Sequence, residues 1–461
     1  MSATITLSTI LHKRRVAIDN QSSAGTLPEA KRKCKHRHTS CGTINRFIGL
    51  NAPLTMVFQC LQLFHLIAQV SHCSKQFYRV SKDPNSWRRS SILLGSDYLM
   101  PDRLIGVIEH FGCIPHLNSL VFHARNTSWE HCTAFINNLK FLSNLKSLNL
   151  ANTIVNPCAF ALNLKFMPHL KKLNLDSCKL FNSGCSFLAR ALVYVPELNE
   201  LNLSGNWIDR EGCIVLAEHL KSVSHLNSLE LRFNCIQDTA CLVLCSTFKY
   251  LGELKCVDLA LNSITNTGCQ ALAENLKFVP RLTRLNLSGN KIENCSTLAE
   301  NLKCVPLLEQ LDLADNSLDD AGCVVLAEHL KFVPLLKSLN LQRIVGVLTT
   351  WFNAVVANLK LVSGLHSLNL SHNKIDDDSC RLLAANLILV PELHRLHLGV
   401  NRITERGCRA LVDNLRIGSK SLCELHMEFN NFTSMGCRIL RQAVCFIPTL
   451  RIRCCRRCGS H

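Results

Sequence analysis

Two hydrophobic periods alternate along the chain. Stretches such as Leu285-Asn286-Leu287 set apolar against polar residues one by one, the spacing of a strand. Stretches such as GCQALAENLKFVPRL (268–282) place Leu272, Ala273, Leu276 and Val279 on one helical face, bounded by Gly268 and Pro280. The helical pattern returns at 212–226 and 322–336, so each unit reads as one short strand, a turn and one helix. Aligned on LNLSGN (201–206), the units carry Asn at 206, 234, 262 and 290, 28 residues apart, and at 316, 373, 401 and 430. Earlier units hold Arg125, Thr153 and Cys178 in that slot, and the unit beginning at Leu339 holds Ile344. About twelve units result, followed by a truncated PTLRIRC.

The pattern L-x-x-L-x-L-x-x-N at this spacing resembles the leucine-rich repeat in its 28-residue, ribonuclease-inhibitor-like class. The resemblance covers residues 115–450 and implies an α/β solenoid, with each Asn hydrogen-bonding backbone left open by the turn. Parallel strands stack at about 4.8 Å and packed helices at about 8–10 Å. Strands inside and helices outside therefore bend such an array into a horseshoe.

Composition narrows the function. Of 461 residues, 47% are hydrophobic and 18% charged, which excludes a disordered chain. The net charge of +17 sits mostly at the ends: residues 1–46 hold nine Lys/Arg against two acids, and 438–461 hold six Arg and no acid. The body between carries only +4, so no nucleic-acid surface is expected along the array. Residues 1–46 read as a basic tail. Its pieces HKRR (12–15) and KRKCKHRH (31–38) suit a bipartite nuclear import signal, otherwise a solvated tail.

Cysteine is abundant at 26, and Cys213, Cys269, Cys323, Cys408 and Cys437 each follow a glycine. At one place in every unit, such a thiol acts as a small buried apolar group. The opening residues place their charges after the apolar stretch, the reverse of a secretory leader. Reduced thiols and a cytoplasmic location, with nuclear import open, are the expectation. The best spanning candidate, 54–70, is too short and too polar, so no membrane partner is expected. CKHRHTSC (34–41) and CCRRCGSH (454–461), the second within a Cys/Arg-rich tail at 451–461, each stand alone without a second zinc knuckle. No metal or other cofactor is assigned.

Residues between the strand leucines point out of the concave face. Their middle column runs from Asn149, Asn174 and Asn202 through Glu230, Asp258, Asn286, Asp312, Asn340 and Asn369 to His397 and His426. Arg and aromatic side chains on a polar strand surface are the natural anchors of a protein partner. Arg232, Phe233, Arg343, His397, His426 and Phe429 are the candidates for substrate contact. No G-x-x-x-x-G-K-[ST] loop, nucleophile with its base, or metal set is present, so no enzyme is expected. The unit at 339–359 lacks the Gly-Cys pair and carries Trp351 and Phe352, which either refill the helix layer or form an exposed patch.

Residues 47–95 belong to none of the repeats. Leu63, Leu66, Ile67, Val70, Cys73 and Phe77 fall at helical intervals until Pro84 stops the helix. So short an all-α segment buries its apolar faces poorly alone and needs the first repeat or another protein. In order and spacing, Leu61, Leu63, Leu66, Val70, Ser71, Phe77, Asp83, Pro84 and Trp87 resemble the F-box, which joins a substrate receptor to the Skp-type adaptor of a cullin–RING ubiquitin ligase. The opening departs from the pattern, with Ala52-Pro53 in place of Leu-Pro. The resemblance implies that Leu54, Phe58, Leu61, Leu63, Leu66, Val70 and Trp87 bury against the adaptor while the concave array selects a protein for ubiquitination. The alternative is a repeat scaffold or inhibitor in which 47–95 only caps the first repeat.

Overall fold

The computed structural model describes residues 91–95, 116–124, 129–344, 348–417 and 421–454. Its strands form one parallel sheet of fourteen, ordered as they occur in the chain. Twelve strand–helix units make the body: β2 (Ser119–His123) with α1 (Trp129–Asn138), β3 (Ser147–Asn149) with α2 (Pro157–Leu164), and β4 (Lys172–Asn174) with α3 (Phe181–Ala191). Next come β5 (Glu200–Asn202) with α4 (Arg210–Leu220), β6 (Ser228–Glu230) with α5 (Asp238–Cys245), and β7 (Cys256–Asp258) with α6 (Asn266–Asn275). Then follow β8 (Arg284–Asn286) with α7 (Ser296–Asn301), β9 (Gln310–Asp312) with α8 (Asp320–His329), and β10 (Ser338–Asn340) with α9 (Leu348–Asn358). The last are β11 (Ser367–Asn369) with α10 (Asp377–Asn386), β12 (Arg395–His397) with α11 (Glu405–Leu415), and β13 (Glu424–His426) with α12 (Ser434–Arg441).

The sheet runs past the expected 115–450 span at both ends. Ser91–Gly95, assigned above to the end of the helical segment, is instead β1, and Ser91 pairs with Ser119, one repeat later. At the other end, Arg451–Arg453, assigned to the tail, forms β14, with Ile452 opposite Leu425. The open edge of a parallel sheet offers backbone partners to any extended segment in register, which is why both flanks join it.

The core is the stripe of leucines between sheet and helices; Leu201 and Leu203 are fully buried on either side of Asn202. Asn206 shows how the turn is held. Its side-chain oxygen accepts from the Cys178 and Leu180 N–H groups at 3.0 and 3.1 Å. Its amide donates to the Leu175, Leu203 and Ser204 carbonyls at 2.7–3.0 Å. Thr153 does part of this with one hydroxyl, accepting from Ala124 N–H and donating to Phe122 C=O. Cys178 donates its thiol to Leu150 C=O at 3.1 Å. Arg125 lies outside the described residues.

The Gly-Cys pairs join the helix layer. The Cys185 thiol donates to Gly212 C=O one unit on at 3.6 Å, and Cys241 and Cys380, which follow Ala240 and Ser379, donate likewise to Gly268 at 3.4 Å and Gly407 at 3.6 Å. Burial pushes the Cys185 and Cys269 thiols up to about 12. Among the described residues no two cysteines are joined in a disulfide. No helix among the described residues is long and apolar enough to cross a membrane.

Candidate functional site

The middle concave column has a structural duty that the sequence does not reveal. Asn202, Asp258, Asn286, Asp312, Asn340 and Asn369 each accept, through a side-chain oxygen, the N–H two residues on, at 2.9–3.2 Å. This Asx turn ends the strand. Cross-strand bonds use the remaining atoms: Asn202 donates to Glu230 at 2.8 Å, Asn286 to Asp258 at 3.1 Å, and Asn340 to Asp312 at 3.0 Å. Burial raises the carboxyl pKa of Glu230 and of Asp312, opposed by the bonds they accept. Glu230, His397 and His426 are too long, or lack the oxygen, to close such a turn. Glu230 instead accepts from Asn202 and Ser228, and the two imidazoles are left for contacts across the face.

The two histidines come together on neighbouring strands, ring centroids 4.2 Å apart and tilted by 32°. Desolvation first, then His426 and Arg395, hold the His397 pKa below its ordinary value. His426 Nδ1 lies 3.8 Å from Glu428 Oε1.

Phe233, Arg343 and Phe429 share another slot, immediately before the ladder position. Each is held in the left-handed region, at φ 54°, 55° and 59°. The fold imposes this: Phe233 N–H must reach Ala260 C=O at 2.8 Å, and Arg343 N–H must reach Ser371 C=O at 3.0 Å. Gly205 and Gly289 occupy the slot without a Cβ clash, whereas a larger L-residue there costs roughly 1–2 kcal/mol. Phe233 and Phe429 are about 60% exposed. Arg232 is exposed beside Phe233, and Arg343 Nη1 lies 3.5 Å from Asp315.

The predicted contacts thus share no pocket; of them only His397 lines the concave cavity of about 420 Å³, beside Glu230, Asp312 and Asn369. Arg232 and Phe233 follow β6, Arg343 follows β10, and the histidines with Phe429 sit at β12 and β13, about 29 and 34 Å from the first pair at 4.8 Å per strand. Sequence reasoning missed Leu261 and Val400, which occupy the Phe233 slot with φ 52° and 53° and remain exposed. They extend Phe233 and Phe429 into two apolar pairs on the rim. The signal was their position directly before Asn262 and Asn401. Leu54, Phe58, Leu61, Leu63, Leu66, Val70 and Trp87 lie outside the described residues. Among those described, no three His, Cys, Asp or Glu side chains are grouped to hold a metal ion.

Stacked strand–helix units, an Asn ladder and a polar concave sheet define a solenoid of leucine-rich repeats. The leucine-rich repeat family model matches residues 166–189, 197–217, 224–245, 254–273, 306–327 and 365–384. The chain carries leucine-rich repeats. No curated protein matches its sequence. Among solved structures it is similar to a leucine-rich-repeat protein of Leptospira interrogans at 17% identity and TM-score 0.43, covering 81% of this chain and 97% of that one. It is similar also to an internalin (inlF) of Listeria monocytogenes, at 17% identity and TM-score 0.43, over 89% and 98% of the two chains.

Proposed function

We propose that this chain is a non-enzymatic protein-binding receptor whose concave face selects a protein partner and whose residues 47–95 dock on the Skp-type adaptor of a cullin–RING ubiquitin ligase. The observation that carries the first half is the rim. Phe233, Leu261, Val400 and Phe429 keep apolar side chains exposed in a backbone region that favours glycine. Stability alone gives no reason for that choice, and a partner surface does. The second half rests on the motif from Leu61 to Trp87.

A pull-down of the full chain with the adaptor tests it, beside Leu63→Asp/Leu66→Asp. Binding by the native chain and loss in the double variant supports the ligase reading; absence of binding by both sinks it. For the concave face, the Phe233→Ala/Phe429→Ala chain is expected to lose a captured partner while unfolding at the native temperature.

One observation favours a second reading, a repeat scaffold or inhibitor without ligase partners. β1, at the end of the front segment, is itself paired to the first repeat strand. A cap that covers the exposed end of a solenoid does the same.

A further inference from the structure

We propose that the edge where the first five helices end is a docking surface for an anionic lipid membrane. Five of the twelve units close their helix with Lys and then an aromatic residue, at 140–141, 165–166, 249–250, 277–278 and 331–332, and neighbouring turns pack side by side. Phe141, Phe166, Tyr194 and Tyr250 stand 40–49% exposed at this place, with Leu162 at 61% and Val193 at 56% beside them. Lys140, Lys165 and Lys249 each hold Nζ over the adjacent ring, 5.0–5.2 Å from its centroid. A half-exposed ring with an ammonium on its face is an apolar and a cationic group offered together. Aromatic rings and lysines anchor proteins at the headgroup level in that combination.

Charge distinguishes this stretch from the three units that follow it. In the later units Glu274, Glu300 and Glu328 stand one turn ahead of Lys277, Lys303 and Lys331. The equivalent residues of the early units are Asn137, Leu162, Arg190, Glu218 and Ser246, a single acid among five. The acids of the following loops are neutralised elsewhere, Glu197 by His169 and Lys171, and Glu253 by Arg281. Lys140, Lys165, Arg190 and Lys249 therefore present their charge outward, while Lys221 has Glu218 one turn ahead.

Geometry favours a lipid surface over a polymer. Helices packed more widely than strands bend the array within its stacking plane, so the helix ends lie along one flat side of the horseshoe. The units recur along it at about 8–10 Å, and a bilayer accepts anchors at any spacing. The expectation of no membrane partner concerned a spanning segment, and docking from one side asks for none.

Co-sedimentation of the full chain with phosphatidylcholine vesicles, with and without phosphatidylserine, tests this. Binding is expected only with phosphatidylserine. Each lysine near such a surface contributes about fivefold in affinity, so Lys140→Gln/Lys165→Gln/Lys249→Gln should bind about 100-fold more weakly at unchanged thermal stability. Lys277→Gln/Lys303→Gln/Lys331→Gln should lose far less. No binding by the native chain overturns the proposal. So does full binding by the first variant, which would place the affinity in the basic ends, or equal loss in both. Binding to polyglutamate instead of vesicles, lost in the first variant, would make the edge a protein contact and overturn the lipid assignment.

Discussion

The unit β5–α4 and the unit β10–α9 occupy equivalent places in the solenoid and are held together by different physics. In the first, Asn206 spans two units with five hydrogen bonds. Gly212 lies so close to the preceding unit that a Cβ would meet Asn182 Oδ1 at 2.8 Å. In the second, buried Ile344 replaces the Asn, though its own N–H is still served by Asn373 at 2.7 Å. Trp351 and Phe352 replace the Gly-Cys pair, both with no exposed surface, their rings edge to face at 5.8 Å. The aromatics refill the helix layer and form no surface patch. One unit is fastened by polar bonds and close backbone approach, the other by apolar volume. A solenoid tolerates the exchange because each unit contacts only its neighbours.

The exchange leaves a trace on the polar side. In regular units an acid near the helix start accepts from the next unit: Asp238 Oδ1 from Thr265 and Gly268 N–H at 2.8 and 3.0 Å, and Asp377 Oδ1 from Thr404 and Gly407 at 2.8 and 2.9 Å. Asp320 holds the same place, with Trp351 opposite where glycine would be. Its Oδ1 is buried without a partner among the described residues, as is Trp351 Nε1.

The largest expected effect tests the apolar fastening. Trp351→Ala removes a fully buried ring, and a loss of about 3–5 kcal/mol is expected from burial and cavity together. Urea unfolding measures it. A loss below that of an exposed substitution such as Tyr194→Ala would mean the aromatics do not hold this unit.

Next is the polar fastening. Asn206→Ala leaves buried carbonyl and N–H groups unpaired, and about 2–4 kcal/mol should be lost. Ile344→Asn should change stability by less than about 1 kcal/mol, since its unit already relies on the aromatics. Equal effects in the two variants would erase the distinction between the units.

Close approach is third. At Gly268 a Cβ would meet Ile264 Cγ2 and Asp238 Oδ1, both at 2.7 Å, and Asp238 Cα at 3.2 Å. Gly268→Ala should therefore cost about 1–3 kcal/mol through overpacking. The orphaned acid gives the counterpart. Asp238→Ala should lose about 1–3 kcal/mol, because it strips partners from buried N–H groups. Asp320→Ala should lose less than about 0.5 kcal/mol or gain. A matching loss at Asp320 would show that its carboxylate has a partner after all.

How much of this was legible in the sequence follows from which signals repeat. Strands, helices and the Asn ladder return every 28 residues and stand out by repetition. β1 was missed because Ser-Ile-Leu-Leu-Gly lacks alternation, although Ser91 lies 28 residues before Ser119 and the register was there to count. The Asx duty of the concave column was hidden because Asn and Asp are equally at home on any solvated strand face. Positive φ at Phe233, Leu261 and Val400 was invisible too, since nothing in those side chains advertises it; only Gly205 and Gly289 in the same slot hinted at the turn. Trp351 and Phe352 fitted either burial or display from sequence, and only the packing of α9 decided.

The smallest effect belongs to the histidine pair, where the concave face itself departs from its Asx rule. The His397 pKa is lowered in the folded chain by desolvation, then by His426 and Arg395, with Glu424 and Glu428 opposing. A histidine whose folded pKa lies below its unfolded value binds fewer protons when folded. Its contribution to stability is therefore intact above the ordinary histidine value, falls as pH drops through it, and levels off below the folded pKa. In unfolding midpoints taken across mildly acidic pH, the native chain should lose stability more steeply than His397→Asn, which also restores an Asx side chain able to close the turn. Identical slopes would mean that the ring is solvated enough to ignore its neighbour, and the 4.2 Å pair would then carry no electrostatic consequence.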